Sequence, residues 1–249
     1  MKRTLLFALA LIASGCADPI PRNLDDLSRQ GPQYLDPETL EPYSGPAYQM
    51  SEDDSTEIVL RVNLRDGRLH GDFEDFDPPA RERVGEGLGI YETGTYRDGQ
   101  REGRYEYFYP SGVLRGRGTY ENGLNEGPYE SWHENGEPRS RGTYTAGELD
   151  GPYEFYYENG QIRGRNTYRD GQLDGPYEFY NENGQLTGRT MHRAGERHGL
   201  FENYDDNGQL NARGYLNMGS FCGEWIRVGQ TTTTTSTYDP CPPGLADAN

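Results

Sequence analysis

The sequence has almost no lysine and little that could form a reactive centre. Lys2 is the only lysine, so every later cation is an arginine or a histidine. Its 3 cysteines and 4 histidines are scattered, without the close Cys and His spacing that metal and redox sites require. We find no HExxH motif, no phosphate-binding loop and no nucleophile elbow. The sequence therefore predicts a protein that is not an enzyme, with no cofactor and no metal site.

Long hydrophobic runs are also missing after the first fifteen positions, and hydrophobic residues make up only 32% of the chain. At the start, Lys2 and Arg3 precede an apolar run from Leu5 to Ala13. That run is too short for a membrane-spanning helix but fits a secretion signal. The pattern predicts a signal peptide over residues 1–15.

The end of that segment, Ala13-Ser14-Gly15-Cys16, resembles the lipobox of bacterial lipoproteins. The resemblance implies cleavage before Cys16 and lipidation of its side chain, so that the protein is lipid-anchored in the cell envelope. The residue after the cysteine is Ala17 rather than aspartate, which favours the outer membrane, facing the periplasm. The alternative is an ordinary signal peptide with an incidental cysteine.

Two cysteines remain after Cys16. An oxidising compartment permits a disulfide between Cys222 and Cys241, which would close a short C-terminal loop. A structural role for this pair is the simpler expectation, because neither residue has a partner for catalysis or metal binding nearby in the sequence.

The formal net charge is −17. An acidic surface repels nucleic acid and anionic lipid headgroups. We therefore expect no nucleic-acid partner, and membrane contact only through the N-terminal lipid.

The chain is rich in glycine and tyrosine, with 34 and 20 residues. Glycine is at about twice its usual share of roughly 7%. The phrase Gly-Pro-Tyr-Glu-Phe-Tyr occurs at Gly151 and again at Gly175, and a 24-residue period runs through residues 94–213. Degenerate copies precede it, at residues 64–76, and follow it, to Trp225. A period of this length indicates a repeat architecture.

These glycine–tyrosine phrases resemble the MORN repeat, and the form Gly-x-Leu-x-Gly-Pro-Tyr-Glu-x-Tyr-x-Glu-Asn-Gly-Gln-Leu is similar to its bacterial variant. That variant occurs in proteins described as YwqK-type antitoxins. The resemblance covers residues 40–229 and identifies a fold better than a function. We divide the chain into a signal peptide (1–15), a lipidated tether or linker (16–39), the repeat domain (40–229) and a C-terminal tail (230–249).

Two turn signals in each repeat predict a β-meander with two short strands per repeat. Asn159–Gly160 and Asn183–Gly184 are typical of two-residue type I′ hairpin turns, and Asp98–Gly99 and Asp170–Gly171 mark the second turn. The predicted fold is all-β: a single elongated, twisted antiparallel meander built from 24-residue hairpin repeats.

Counting outward from the Asn–Gly turns sets the strand register. In every repeat an acid faces an arginine, and large rings such as Phe155 face glycines such as Gly164, which supports the count. The predicted structural cross-strand pairs are Glu106 with Arg117, Glu130 with Arg141, Glu154 with Arg165, Glu178 with Arg189, and Glu202 with Arg213.

Alternation of side chains gives the meander two faces. One carries Tyr153 and Phe155 and is the expected packing face. The other is mixed, and its aromatic column, with the arginines that the same count places opposite the first three rings, forms a candidate binding face: Phe108, Trp132, Tyr156, Tyr180, Tyr204, Arg115, Arg139 and Arg163. A repeated aromatic column can be a stacking ladder, a binding surface, or both.

Three functions are compatible with these features. The first is a non-enzymatic, membrane-anchored scaffold for protein–protein interaction in the bacterial cell envelope, with an unknown protein partner. The second, implied by the YwqK resemblance, is an antitoxin or immunity protein that neutralises a toxin. The third is binding of an envelope polysaccharide by the aromatic column. An aromatic face on an open sheet must curl or be covered, so a homodimer also fits.

Overall fold

The computed structural model describes residues 20–51, 57–76, 91–229 and 232–245. The predicted signal peptide and Cys16 lie outside the described residues. One 3-10 turn (Leu24–Asp26) is present, and the strands are β1 (Arg22–Asn23), β2 (Ser28–Gln30), β3 (Gln33–Leu35), β4 (Gly45–Met50), β5 (Ile58–Arg65), β6 (Arg68–Leu69), β7 (Gly71–Asp75), β8 (Glu92–Arg97), β9 (Gln100–Phe108), β10 (Leu114–Glu121), β11 (Leu124–Asn125), β12 (Gly127–Trp132), β13 (Pro138–Thr145), β14 (Glu148–Leu149), β15 (Gly151–Tyr156), β16 (Ile162–Arg169), β17 (Gln172–Leu173), β18 (Gly175–Tyr180), β19 (Leu186–Arg193), β20 (Glu196–Tyr204), β21 (Leu210–Asn217), β22 (Ser220–Val228) and β23 (Thr233–Thr237).

The long strands from β4 to β23 form one antiparallel sheet in which each pairs with the next along the chain. Strand β1 adds to β4 in parallel, which makes the sheet mixed at one edge. Strands β2 and β3 form a separate hairpin. The predicted all-β meander of 24-residue hairpin repeats is confirmed.

Each repeat has a short turn of two residues, in which both residues have positive φ. Asp170 and Gly171 have φ of 48° and 73°, and Asp98 and Gly99 have 51° and 91°. These are the angles of a type I′ turn, which matches the right-handed twist of the flanking strands. Asp66–Gly67 and Met218–Gly219 repeat the pattern, so the degenerate copies at both ends fold in the same way.

The other turn of each repeat is longer than we predicted. At Asn159–Gly160 only Gly160 has positive φ, at 78°. Tyr157 and Gln161 close the hairpin, with the Tyr157 amide donating to Gln161 O at 2.9 Å, so three residues form the loop. The predicted two-residue type I′ turn is wrong here. The Asn159 side chain stabilises the longer loop, because its Oδ1 accepts from the Gln161 amide at 2.9 Å.

A β-bulge follows this long turn and restores the register. Tyr156 pairs with Ile162, but Phe155 pairs with Gly164, so Arg163 is an extra residue on its strand. The extra loop residue and the extra strand residue compensate for each other. The five predicted cross-strand pairs, from Glu106–Arg117 to Glu202–Arg213, are therefore the Cα partners in the structure.

The N-terminal part of the described chain is folded rather than extended. Leu24, Leu27 and Leu35 are buried, and the first two pack with Val62 and Phe73 in a hydrophobic cluster. The predicted linker over residues 16–39 is wrong for residues 20–39. Its polar composition hides three spaced leucines, which cover the end of the sheet as capping segments do in repeat proteins.

The C-terminal end is also covered. Cys222 and Cys241 form a disulfide with Cα atoms 4.9 Å apart. Strand β23 pairs with β22 as an edge strand, and Trp225 and Leu245 are buried. Residues 233–237 of the predicted C-terminal tail are therefore an edge strand of the sheet.

Between the two ends the sheet is a single layer. From residue 106 to residue 199, the buried side chains are polar: Ser131, Ser140, Asn166 and Thr190. Residues 242–245 lie against the sheet beside Met191 and His192, whereas Phe179 is 37% exposed. The hydrophobic cores therefore lie at the ends, and the middle is an open aromatic sheet.

Candidate binding faces of the sheet

The two faces of the central sheet carry different chemistry. We call the face with the paired glutamates and arginines the ladder face, and its aromatic column is Phe108, Trp132, Tyr156, Tyr180 and Tyr204. We call the other face the tyrosine face, and in the central repeats it carries Tyr105, Tyr107, Tyr109, Tyr129, His133, Tyr153, Phe155, Tyr157, Tyr177 and Phe179. Residues two apart on a strand share a face, and cross-strand partners point to the same side.

On the ladder face, acids and arginines alternate without interruption across ten strands: Glu106, Arg117, Glu130, Arg141, Glu154, Arg165, Glu178, Arg189, Glu202 and Arg213. The first four arginines each pair with a glutamate on both sides, and Arg213 ends the row beside Ile226. The prediction had paired each glutamate only within its own repeat. Glu154 bridges two repeats, 2.5 Å from Arg141 and 3.2 Å from Arg165.

Glu202 has the same bridging role and is 5% exposed. It forms ion pairs with Arg189 and, at 3.3 Å, with Arg213. Burial opposes ionisation of Glu202, but the hydrogen bonds from Arg189 and Tyr204 and the two positive charges outweigh it and lower its pKa. The pKa of Glu154 is lowered in the same way, with Tyr156 and Arg141 as donors.

The rings of the ladder face are held by this network. The hydroxyls of Tyr156, Tyr180 and Tyr204 each donate at 2.7 Å to the glutamate two residues earlier. Burial and the hydrogen bond to Glu154 raise the pKa of Tyr156 to about 12. These contacts are those of a stacking ladder; a binding role for the column stays a prediction.

Arginines also stack on these rings, but they are not the predicted ones. Arg117 lies 5.2 Å from the Trp132 ring centroid, Arg141 lies 5.7 Å from Tyr156, and Arg165 lies 6.0 Å from Tyr180. Each ring is therefore covered by the ladder arginine of the preceding repeat.

The predicted pairing of the column with Arg115, Arg139 and Arg163 is wrong. The bulge shifts the register, so that Phe108 faces Leu114, Trp132 faces Pro138, and Tyr156 faces Ile162. The bulged arginines turn to the tyrosine face. Arg163 lies 5.6 Å from the ring centroid of Tyr157, and Arg115 lies 5.3 Å from that of Tyr109.

The rings of the tyrosine face form a continuous lateral network. Tyr153 packs edge-on against Tyr168 with centroids 5.9 Å apart, and Phe155 packs against Tyr177 in the next repeat at 6.3 Å. A Cβ added at Gly142 would lie 2.6 Å from the Tyr153 ring. Gly142 therefore lets the Tyr153 ring lie across the neighbouring strand.

One column of this face, Tyr109, His133 and Tyr157, links each repeat to the next. The hydroxyl of Tyr109 donates to Trp132 O at 2.9 Å, and that of Tyr157 donates to Tyr180 O at 2.8 Å. His133 replaces the tyrosine in the middle repeat and donates from Nε2 to Tyr156 O at 3.0 Å. The 24-residue spacing places this column on the packing face, but the bonds that link each repeat to the next could not be predicted from it.

The tyrosine face has a cavity of about 360 Å³ where two repeats meet, lined by Tyr129, Ser131, His133, Arg139, Ser140, Tyr153, Phe155, Tyr156 and Arg163. Ser131 and Ser140 hydrogen-bond to each other at 2.7 Å and are satisfied. Arg139 and Arg163 are both exposed. In the described part of the chain no carboxylate lies within ion-pair distance of either, although all five ladder arginines have such a partner.

The described residues offer no other recognisable chemistry. Among them, no three His, Cys, Asp or Glu side chains are grouped as a metal ion would need. None of the described helical residues forms a helix long and apolar enough to cross a membrane. The arrangement can therefore bind a ligand through rings and guanidinium groups.

Two solved structures give weak likenesses. One is a GtfA/B complex bound to UDP and GlcNAc, with 13% identity and a TM-score of 0.21. The match covers 45% of this chain and 22% of that chain. The other is a porin-like protein from Bacteroides uniformis, with 10% identity, a TM-score of 0.19 and coverage of 71% of this chain and 86% of that one. At these TM-scores neither likeness bears on function.

Comparison with curated proteins returns no match. A family model does match the repeats: the MORN repeat variant aligns with five consecutive segments, 101–122, 125–146, 149–170, 173–192 and 197–217. Each segment begins near a short turn and ends at the next, as the hairpin geometry requires. The chain therefore contains five consecutive MORN repeats of this variant, between residues 101 and 217.

Proposed function

We propose that this protein is a non-enzymatic, lipid-anchored scaffold that binds a protein partner in the bacterial cell envelope through its tyrosine face. The basic and apolar start of the chain and the lipobox-like sequence ending at Cys16 support the anchor. The disulfide between Cys222 and Cys241 is consistent with an oxidising compartment.

The observation that carries the binding role is a pair of exposed arginines, Arg139 and Arg163, which have no ion-pair partner among the described residues. They lie beside half-buried rings in a cavity lined by residues 129–163 alone. Acids outnumber lysine and arginine by 41 to 24, so intramolecular partners are plentiful. Arginine and tyrosine are also the residues enriched at the energetic centres of protein interfaces.

The ladder face is the less suitable surface. The hydroxyls of Tyr156, Tyr180 and Tyr204 already donate to carboxylates, and several of the guanidinium groups already have ion-pair partners. A ligand there would have to replace contacts that the fold has already made, whereas a ligand on the tyrosine face would meet two arginines that have no ion-pair partner among the described residues.

Capture from detergent-solubilised envelope tests this function, using residues 17–249 as bait. We expect the double variant R139Q/R163Q to lose the captured protein, and R141Q/R165Q to retain it. The control replaces two arginines of the same strands, each two residues further along the chain. The bulge at Arg139 and Arg163 places the control arginines on the opposite face. Cys16→Ser in the full chain should release the protein from membranes.

Other outcomes point to other functions. Loss of capture with R141Q/R165Q alone would move the site to the ladder face. Retention of glycans without any protein would favour polysaccharide binding and contradict the scaffold. Capture of a toxin whose activity is then inhibited would make the protein an antitoxin.

A further inference from the structure

We infer that the tyrosine face binds a proline-rich segment in the polyproline II conformation, with an acidic residue at every third position. This inference rests on the proposed function and specifies the chemistry of the partner. The occupant would lie across the strands, over the cavity between Arg139 and Arg163.

The first support is the spacing of the repeats. Equivalent residues of successive repeats are two strands apart, and neighbouring strands lie about 4.8 Å apart. Arg139 and Arg163 are therefore about 9.6 Å apart along the sheet. A polyproline II helix rises about 3.1 Å per residue with three residues per turn, and thus presents the same face about every 9.3 Å. One turn of such a helix therefore matches one repeat.

The second support is the chemistry of the cavity. Two guanidinium groups without ion-pair partners among the described residues, at equivalent positions of two successive repeats, offer donors only. Carboxylates spaced by one helical turn are complementary to them, and paired geometry would give charge-assisted hydrogen bonds. The carbonyls of a polyproline II chain make no internal hydrogen bonds, so they provide further acceptors.

The third support is the aromatic lining. Tyr129, Tyr153 and Phe155 are half-buried, with one side held by the ring network and the other open to the cavity. Flat aromatic rings separated by a groove are the surfaces on which proline rings pack. The preformed conformation of the ligand also reduces the entropy lost on binding.

A sugar chain fits this cavity less well. Sugar hydroxyls need acceptors as well as donors, and the lining has no carboxylate or amide side chain. Its two serine hydroxyls are already bonded to each other. Two arginine donors and the absence of a carboxylate or amide side chain from the lining favour a ligand that carries carbonyls and carboxylates.

Fluorescence anisotropy with labelled peptides of about 18 residues, long enough to cross several repeats, tests the inference. The probe is a Pro-Pro-Glu repeat, and the controls are Pro-Pro-Gln, Pro-Pro-Lys and the flexible acidic repeat Gly-Ser-Glu. With residues 17–249, we expect Pro-Pro-Glu to bind at least about tenfold more tightly than each control and to weaken as salt increases.

The variants locate the site. R139Q/R163Q should weaken Pro-Pro-Glu binding by about tenfold or more, and R141Q/R165Q should change it by less than about twofold. Circular dichroism of both variants checks that the sheet remains folded. No binding of Pro-Pro-Glu, or equal binding of Gly-Ser-Glu, would overturn the inference.

Two further results separate the inference from the proposed function. If envelope capture depends on Arg139 and Arg163 while Pro-Pro-Glu does not bind, the scaffold function stands and the polyproline ligand is wrong. If an acidic polysaccharide such as polygalacturonate competes away Pro-Pro-Glu and binds more tightly, the occupant is a glycan and the inference fails.

Discussion

At the scale of single residues, glycines determine where the rings of the tyrosine face can lie. Gly164 shows this most clearly, because the Phe155 ring lies over it and the Glu178 carbonyl oxygen would be 2.9 Å from an added Cβ. At Gly188, the same position one repeat later, an added Cβ would meet its nearest atom at 3.3 Å and the Phe179 ring only at 4.0 Å. The two glycines thus occupy equivalent backbone positions, but an aromatic ring lies close over Gly164 and not over Gly188.

Gly164→Ala should lower the free energy of unfolding by about 1–3 kcal/mol, because the new methyl group forces the ring and the strand apart. Gly188→Ala should cost clearly less, since its surroundings need to move by only a few tenths of an ångström. Urea unfolding of both variants measures the difference. An equal loss at the two positions would mean that ring cover does not determine the cost.

At the scale of the strand pair, the hairpin shows what the sequence could predict and what it could not. The period, the meander, the short Asp–Gly turns and the five Glu–Arg pairs all follow from residue spacing. The three-residue turn and the bulge at Arg163 do not. The extra residue in the loop and the extra residue on the strand shift the pairing in opposite directions, so the predicted Glu–Arg pairs are the same without them. The direction of Arg139 and Arg163, and with it the candidate cavity, depends on that bulge.

The linker error has a different cause. Leu24, Leu27 and Leu35 show no strand or helix periodicity. The first two are buried against a surface formed by Ala47, Val62 and Phe73. Such contacts between distant parts of a chain override local composition. A polar segment with three spaced leucines therefore gave no local signal of a cap.

The Glu–Arg ladder should make stability depend on pH. The pKa values of Glu154 and Glu202 are lower in the folded protein than in the unfolded chain, so the unfolded chain takes up protons first as the pH falls. The two ionised glutamates therefore stabilise the fold at pH values above the ordinary glutamate pKa of about 4.3. This stabilisation is lost as the pH falls through their lower pKa values in the folded protein.

Glu202→Gln should therefore reduce the free energy of unfolding at pH 7, by about 1–3 kcal/mol, since it leaves Arg189 and Arg213 without their carboxylate. Its stability should also change less between pH 5 and pH 3 than that of the unaltered protein. Glu178→Gln is the matched control, because no guanidinium of the described chain lies within ion-pair distance of Glu178. A parallel pH profile for E202Q would contradict the assignment.

At the scale of the whole molecule, stability is concentrated at the two ends, where the hydrophobic cores lie. The open central repeats contact only their neighbours, as in other repeat arrays. The end caps should therefore decide whether the array remains folded and soluble.

A chain that begins at Gly45 loses Leu24, Leu27 and Leu35 and exposes Val62 and Phe73. We expect it to unfold at a lower temperature than a chain that begins at Ile20 and to aggregate at high concentration, because it has a bare apolar end. Thermal unfolding followed by circular dichroism, with light scattering, compares the two. Equal melting temperatures and equal solubility would return residues 20–39 to the role of a tether.

The order of strands along the sheet also has a mechanical consequence. Strands follow one another in chain order, so a pull directed along the array acts perpendicular to them and loads one hydrogen-bonded pair at a time. The strands would then separate one after another at low force, and each unfolded repeat would add 24 residues of extended chain. A tether built in this way would behave as an extensible spring, lengthening in steps under load and shortening when the repeats fold again.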